Sequence, residues 1–276
     1  MPEQLTPLYY TPIYKSLTEF QRLRYNQLTG LYFNEQIIFF EKTLAQNVIG
    51  HFLSEPISDQ LKKQLRQFIF EESRHSEMFR RLNRCCNPEI YGNQDFYFIE
   101  MPGLMSGFVN FVSKKPHWFP LFLWFVLLQE ERSLFFGRTF LKSSDTEPHF
   151  REVQRIHLMD EVEHIRWDKE LLKWIWPRTS SILRKLNVHL LIWMVNEYFS
   201  TPKRAAVMVV RELVNEFPAL RSQFPEIRFQ LLELRNNLSF RRSLYSSDNV
   251  PDTFKLFRAW PEFDIIVNAI PGYVPG

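Results

Sequence analysis

The chain contains little glycine and little cysteine, and both shortages narrow what it can be. Only 8 of its 276 residues are glycine, which disfavours glycine-rich phosphate loops and β architectures with many turns. The two cysteines, Cys85 and Cys86, are adjacent and cannot easily bridge each other. They fit a reducing compartment better than a disulfide scaffold, so we expect a cytoplasmic protein.

Long basic tracts, a secretory leader and a bilayer-length apolar run are also missing. A net charge of +3 without a Lys/Arg tract argues against a nucleic-acid partner. The N-terminal residues lack the basic-then-apolar order of a secretory signal. The most apolar run, Phe119 to Leu128, spans about ten residues, whereas a helix that crosses a bilayer needs about 20. We therefore expect no membrane span.

Apolar residues, by contrast, are abundant and follow helical periodicity. Hydrophobic residues make up 45% of the chain and aromatic residues 16%. Their spacing, with the proline and glycine breakers, predicts helices over residues 17–28, 31–53, 58–83, 120–142, 147–176, 179–199, 203–216 and 218–243. Residues 85–117, with Pro102, Gly103, Gly107 and Pro116, are predicted to form a long connection of the kind that serves as a lid or access loop. The rest is predicted to be a tail rich in proline and aromatic residues, and the fold class is all-α.

Two of these helices each carry a Glu-x-x-His motif. Glu72 and His75 lie on the helix over 58–83, and Glu161 and His164 lie on the helix over 147–176. This spacing puts a carboxylate and an imidazole on one helix face, about one turn apart. Such ligands suit iron or manganese. Carboxylate-bridged di-iron bundles use two such motifs and one further Glu from each of two other helices.

The sequence offers two candidates for each of these further carboxylates. Glu41 lies on the apolar stripe of its helix, whereas Glu35 lies on the flank. Glu130 also lies on an apolar stripe, whereas Glu131 shares its face with Arg138 and is expected to be more solvated, although a small rotation would exchange the two. A carboxylate within an apolar stripe is costly unless a cation neutralises it. We therefore favour Glu41 and Glu130.

A third imidazole lies on the same helix face as the second motif. His157, Glu161 and His164 fall within about 60° of one another around the helix axis. The predicted metal ligands are therefore Glu41, Glu72, His75, Glu130, His157, Glu161 and His164. Glu72 and Glu161 are the natural bridging ligands, and Asp160 is a candidate to orient a ligand histidine. Seven ligands over two metals leave positions open for O2.

The set resembles the p-aminobenzoate N-oxygenase (AurF-type) di-iron family over residues 17–175. The third imidazole distinguishes it from ferritins, ribonucleotide reductase small subunits and acyl-carrier desaturases, which typically have six ligands. The resemblance implies a ferritin-like four-helix bundle at about 31–176. Accessory helices and the tail would occupy 177–276 of a single domain over 1–276.

The resemblance also implies chemistry. It implies two iron ions, a homodimer, and oxygen transfer from O2 to the nitrogen of a small amine such as an arylamine. Manganese or a mixed Mn/Fe pair remains open, because these ligands do not select strongly among such ions. Electrons must come from a separate reductase, because the chain has no flavin or iron–sulfur motif.

Other interpretations stay open at this point. One Glu-x-x-His is weak evidence, because roughly half of chains of this length would carry one. The metal centre could instead oxidise carbon, by hydroxylation or desaturation, or serve as a ferroxidase or iron-handling site. A helical interaction module with coincidental motifs is the remaining alternative. His51, His117, His149 and His189 are predicted to be surface or core histidines without a ligand role.

Overall fold

The fold is helical throughout the part of the chain that can be described. The computed structural model describes residues 1–100, 107, 111–199 and 203–275, and no strand occurs among them. The all-α prediction is confirmed. None of the described helices combines the length and the apolar character needed to cross a membrane. Pro102 and Gly103 of the predicted connection lie outside the described residues.

Four long helical segments form a bundle, and shorter helices surround it. The α-helices are α1 Pro12–Ser16, α2 Glu19–Phe39, α3 Gln46–His51, α4 Asp59–Cys86, α5 Pro88–Tyr91, α6 Leu121–Lys142, α7 Pro148–Ile175, α8 Ser181–Met194, α9 Arg204–Glu216, α10 Phe224–Glu233, α11 Leu238–Leu244 and α12 Pro251–Phe257. Two π-helical segments, Phe40–Ala45 and Val195–Phe199, follow α2 and α8. The 3-10 helices are Glu3–Leu5, Pro7–Tyr10, Phe52–Ser54, Trp176–Arg178, Pro218–Gln223, Leu234–Asn236 and Pro261–Asn268. The bundle consists of α2–α3, α4, α6 and α7.

The first bundle segment is longer than the sequence predicted. We expected a helix break near Gly30, but α2 runs through it from Glu19 to Phe39. A capping box between Thr18 and Gln21 fixes its start. Gly30 is buried with the Phe150 ring close to it, so this glycine provides space for helix packing and does not end the helix. The π segment then connects α2 to α3 without a turn.

The other three bundle helices begin and end close to their predicted bounds. The Ser58 side chain accepts a hydrogen bond from the Leu61 N–H at the start of α4. Glu147 does the same for the Phe150 N–H of α7. α4 continues to Cys86, so the helix extends into the region predicted as a connection. Both cysteines are free and exposed.

The C-terminal region differs most from the prediction. The helix expected over 218–243 is divided, because Pro225 lies in the first turn of α10 and the Asn237 side chain caps α11 by accepting from the Phe240 N–H. The expected tail contains α12 and a further 3-10 helix. Its aromatic side chains pack on α6, with the Phe263 ring centroid 4.6 Å from that of Trp124. These residues join the main hydrophobic core of the bundle.

The pairing of α6 with α7 leads to a test of the packing. A Cβ on Gly137 of α6 would lie 2.7 Å from Leu158 Cδ2 and 2.9 Å from its Cγ. We expect Gly137→Ala to lower the free energy of unfolding by about 1 kcal/mol, because the overpacking exceeds the gain in helix propensity. Urea unfolding measures this.

Gly50→Ala is the matched control for that substitution. A Cβ on Gly50, in α3, would meet only Ile69 Cδ1 at 3.8 Å, which is an ordinary contact. The control should leave stability unchanged or raise it by up to about 1 kcal/mol. Equal effects of the two substitutions would contradict the close approach of α6 and α7.

Candidate metal centre

The two Glu-x-x-His motifs face each other across the contact between α4 and α7. Glu72, His75, Glu161 and His164 are all fully buried. His164 Nδ1 lies 2.9 Å from Glu72 Oε1 and 3.6 Å from Glu161 Oε1. His75 Nδ1 lies 3.5 Å from the same oxygen of Glu161. Glu161 therefore lies between the two imidazoles.

The remaining three predicted residues complete the same pocket. His157 Nε2 lies 3.0 Å from Glu41 Oε1 and 2.9 Å from Glu161 Oε1. The seven side chains fall into two groups that share Glu161, and within each group the potential ligand atoms lie within 4.8 Å of one another. One group is Glu41, His75, His157 and Glu161, and the other is Glu72, Glu130, Glu161 and His164. Two neighbouring cations would fit this arrangement, with Glu161 as the carboxylate that belongs to both groups.

The residue directly before each motif is acidic, and its carboxylate contacts the histidine of the other motif. His75 Nε2 lies 2.9 Å from Asp160 Oδ2, and His164 Nε2 lies 3.0 Å from Glu71 Oε2. With Nε2–H donating to the acid, the Nδ1 lone pair of each ring faces the centre, as metal-binding histidines require. This role was expected for Asp160 but not for Glu71. An available signal was the acidic residue directly before the glutamate of both motifs.

Several donor atoms at the centre have no well-oriented hydrogen-bond partner among the described residues. Both carboxylate oxygens of Glu72 and of Glu161, and Nδ1 of His75 and of His164, lie close to one another but make no hydrogen bond of suitable geometry. Buried polar atoms almost always have a partner, and buried unpaired carboxylates are costly. A divalent cation would satisfy them, and carboxylates combined with imidazoles suit iron or manganese. The side chains present therefore fit a two-metal centre.

The charges at the centre explain its pKa shifts. Burial, with the charge of Glu72, raises the pKa of Glu41 well above its usual value. Burial, with the charge of Glu161, does the same for Glu130. Burial lowers the pKa of His157, but the carboxylates of Glu161 and Glu41 outweigh it and raise the pKa to about 10. Without cations, protons on these groups offset the negative charge.

Glu41 lies in an unusual backbone segment. It belongs to the π-helical segment Phe40–Ala45, and its Oε2 accepts a hydrogen bond from Ser76 Oγ at 3.2 Å. Single π-helical turns inside α-helices are frequent at functional sites because the wider turn changes which way side chains point. The sequence pattern placed Glu41 on the core face without indicating this segment.

The alternative residue Glu35 uses its carboxylate as a hydrogen-bond acceptor away from the centre. Its carboxylate accepts hydrogen bonds from Tyr91 Oη at 2.6 Å and from the N–H groups of Tyr97, Phe98 and Ile99 at 2.8 to 3.1 Å. Glu35 is buried and anchors the segment after α5 to α2. It does not lie in either metal-type group.

Glu131 was expected to be more solvated, and this was wrong. Glu131 is only 4% exposed, and its carboxylate accepts hydrogen bonds from the N–H groups of Asp252 and Thr253, both at 2.7 Å. These groups belong to the first turn of α12, so Glu131 caps that helix. The sequence could not indicate this role, because it depends on the C-terminal region folding back on α6.

A cavity of about 1070 Å³ opens beside the centre. Of the seven side chains, Glu41, Glu130 and His157 line it. Most of its other walls are apolar, and its aromatic side chains include Phe33, Phe40, Phe122, Phe125 and Phe136. Volumes of this order hold small-molecule ligands. A substrate would therefore approach from the side of these three residues.

The neighbours Glu130 and Glu131 provide a paired test of the centre. We expect Glu130→Gln to reduce the metal content of the purified protein, because a neutral amide is a weaker ligand than a carboxylate. Glu131→Gln should keep its metal and lose about 1 kcal/mol of stability through the weakened cap. Metal analysis with thermal unfolding measures both. Equal metal content in the two variants would contradict the assignment.

The pKa shifts predict that metal binding releases protons. At pH 7 His157, with a pKa of about 10, carries a proton that it must lose to act as a ligand. Metal affinity should therefore fall as the pH is lowered, and loading the metal-free protein with Fe²⁺ at pH 7 should release protons. Calorimetric titration in two buffers of different ionisation enthalpy detects this. Identical heats in both buffers would be the contrary result.

Comparison with known proteins agrees with this geometry. No curated protein matches the chain. A family model described as p-aminobenzoate N-oxygenase AurF matches residues 1–221, which extends beyond the 17–175 expected from the motifs. The ferritin-like helical fold expected from the resemblance is that of this family. The match covers most of the chain, including all seven buried residues of the centre. The chain belongs to the p-aminobenzoate N-oxygenase AurF family.

Proposed function

We propose that the protein is a non-haem di-iron oxygenase that oxidises the amine nitrogen of a small aromatic amine. The seven buried carboxylate and imidazole residues would hold the two ions. The observation that carries the proposal is the position of Glu41, Glu130 and His157, which belong to the metal-type groups and also line the cavity. Family membership supports nitrogen as the site of oxidation.

Different residues of the chain would have different roles in this reaction. When bound, the ions supply the activation of O2. Glu71 and Asp160 orient the ligand rings, and the aromatic walls of the cavity exclude water from the reacting atoms. Oxidation of an amine to a hydroxylamine uses O2, two electrons and two protons and yields one water. The electrons come from a separate reductase.

Arg132 supports a substrate that carries an anionic group. It lines the cavity two residues after Glu130, and its Nε has no hydrogen-bond partner within the described part of the chain. Its guanidinium lies 4.8 Å from the centre of the Phe136 ring and donates to Gln129 Oε1 at 3.2 Å. No carboxylate of the described residues forms an ion pair with it. A carboxylate on the substrate, as in an aminobenzoate, would supply the missing charge.

The character of the cavity also bears on the alternatives. Iron storage needs a polar path for ions, whereas these walls are mainly apolar, which favours an organic substrate. Oxidation at carbon would use the same centre and is distinguished by its products. The homodimer and the choice of iron over manganese remain predictions.

Product analysis tests the proposal. We expect protein loaded with Fe²⁺ to convert 4-aminobenzoate, with O2 and a chemical reductant, to its N-oxygenated products, detected by mass spectrometry. His157→Ala should lose this activity. Ring-hydroxylated products alone, or iron accumulating as mineral without any organic product, would contradict the proposal.

A variant of Arg132 tests how the substrate is held. Arg132→Gln should raise KM for 4-aminobenzoate about 10- to 100-fold, because it removes a charge-assisted hydrogen bond. KM for aniline, which has no carboxylate, should not change. Arg138→Gln, an exposed position on the same helix, is the control. Equal effects on both substrates would argue against contact between Arg132 and the carboxylate.

A further inference from the structure

A second cluster of potential metal ligands lies outside the buried centre. His51, Glu55 and His117 each offer a ligand atom, and these atoms lie within 4.8 Å of one another. His117 Nε2 lies 2.7 Å from Glu55 Oε1, and the His51 and His117 rings are 6.3 Å apart between centroids. His51 is ten residues after Glu41, or about 15 Å further along the helical segment. The cluster is therefore distinct from the di-metal centre.

The backbone around the cluster is well defined. His51 is the last residue of α3, and the 3-10 helix Phe52–Ser54 follows directly. The Glu55 N–H donates to Phe52 O at 3.1 Å, and Pro56 keeps Glu55 extended. This short turn places His51 and Glu55 on the same side of the chain.

The third residue comes from a distant part of the sequence. His117 is separated from Glu55 by 62 residues and lies just before α6. Its ring contacts those of Phe52 and Trp174, with centroids 6.4 and 6.3 Å away. These aromatic contacts help to orient the imidazole towards Glu55. Both side chains remain accessible, since Glu55 is 19% and His117 44% exposed.

Two imidazoles and one carboxylate form a recognised ligand set for divalent transition metals. The same set binds catalytic zinc and non-haem Fe²⁺, with the remaining positions open to water. A site that is partly open to solvent and has no thiolate ligand suits an exchangeable ion. A salt bridge alone would need only one histidine beside Glu55, whereas here a second imidazole lies within ligand distance.

We propose that His51, Glu55 and His117 form a third metal site, which binds one divalent transition-metal ion such as Zn²⁺. The site joins the end of α3, on the segment that carries Glu41, to the chain before α6. Phe119, two residues after His117, lines the cavity. A bound ion therefore connects one wall of the cavity to the segment that carries Glu41. This revises the expectation that His51 and His117 have no ligand role.

Zinc binding to the iron-loaded protein tests the proposal. After incubation with Zn²⁺ and gel filtration, the wild type should carry one zinc per chain in addition to unchanged iron. His51→Ala and His117→Ala should each bind zinc at least 10-fold more weakly in calorimetric titration, with iron content unchanged. Zinc should raise Tm of the wild type more than that of either variant, because the ion binds the folded state.

His149→Ala is the matched control, because His149 pairs with Glu147 at 2.7 Å on the surface and no third ligand joins them among the described residues. It should bind zinc like the wild type. An unchanged iron content shows that the variants are folded. Glu55→Gln keeps the shape of the side chain and should weaken zinc binding as the histidine variants do. Absence of additional zinc in the wild type, or its retention in both histidine variants, would overturn the proposal. Neither result depends on the oxygenase activity.

Discussion

Four carboxylates buried close together impose the main constraint on this protein. Glu41, Glu72, Glu130 and Glu161 are each 2% exposed or less, and their charges repel at short range in surroundings of low dielectric constant. Three imidazoles and bound protons can offset this only in part. Bound cations would offset the remaining charge, and the side chains around the centre are oriented in a way that fits such cations.

A carboxylate of α4 contacts a histidine of α7, and a carboxylate of α7 contacts a histidine of α4. These contacts orient the imidazoles among the buried carboxylates. Glu71 fixes a ring of α7, and Asp160 fixes a ring of α4. Each helix thus depends on the other for the orientation of its own ligand. These contacts would couple metal binding to the α4–α7 packing, because a displacement of either helix would move the imidazole of the other.

Sequence periodicity was sufficient for the features that repeat with the helical turn. The positions of α4, α6 and α7, and the convergence of Glu72, His75, Glu161 and His164, follow from spacing alone. Features that depend on distant parts of the chain were missed. Glu131 caps α12 across 121 residues, and Glu35 anchors the segment after α5 through the N–H groups of Tyr97 to Ile99. The passage of α2 through Gly30 depends on the neighbouring Phe150 ring, which no local pattern reveals.

The two groups of ligands differ in composition. The group with His75 and His157 has two carboxylates and two imidazoles, whereas the group with His164 has three carboxylates and one imidazole, with Glu161 counted in both. More anionic ligands stabilise a more highly charged ion. If ions occupied both groups, the group with Glu72 and Glu130 would favour the more highly charged of the two, and the group with two imidazoles would hold the less charged one.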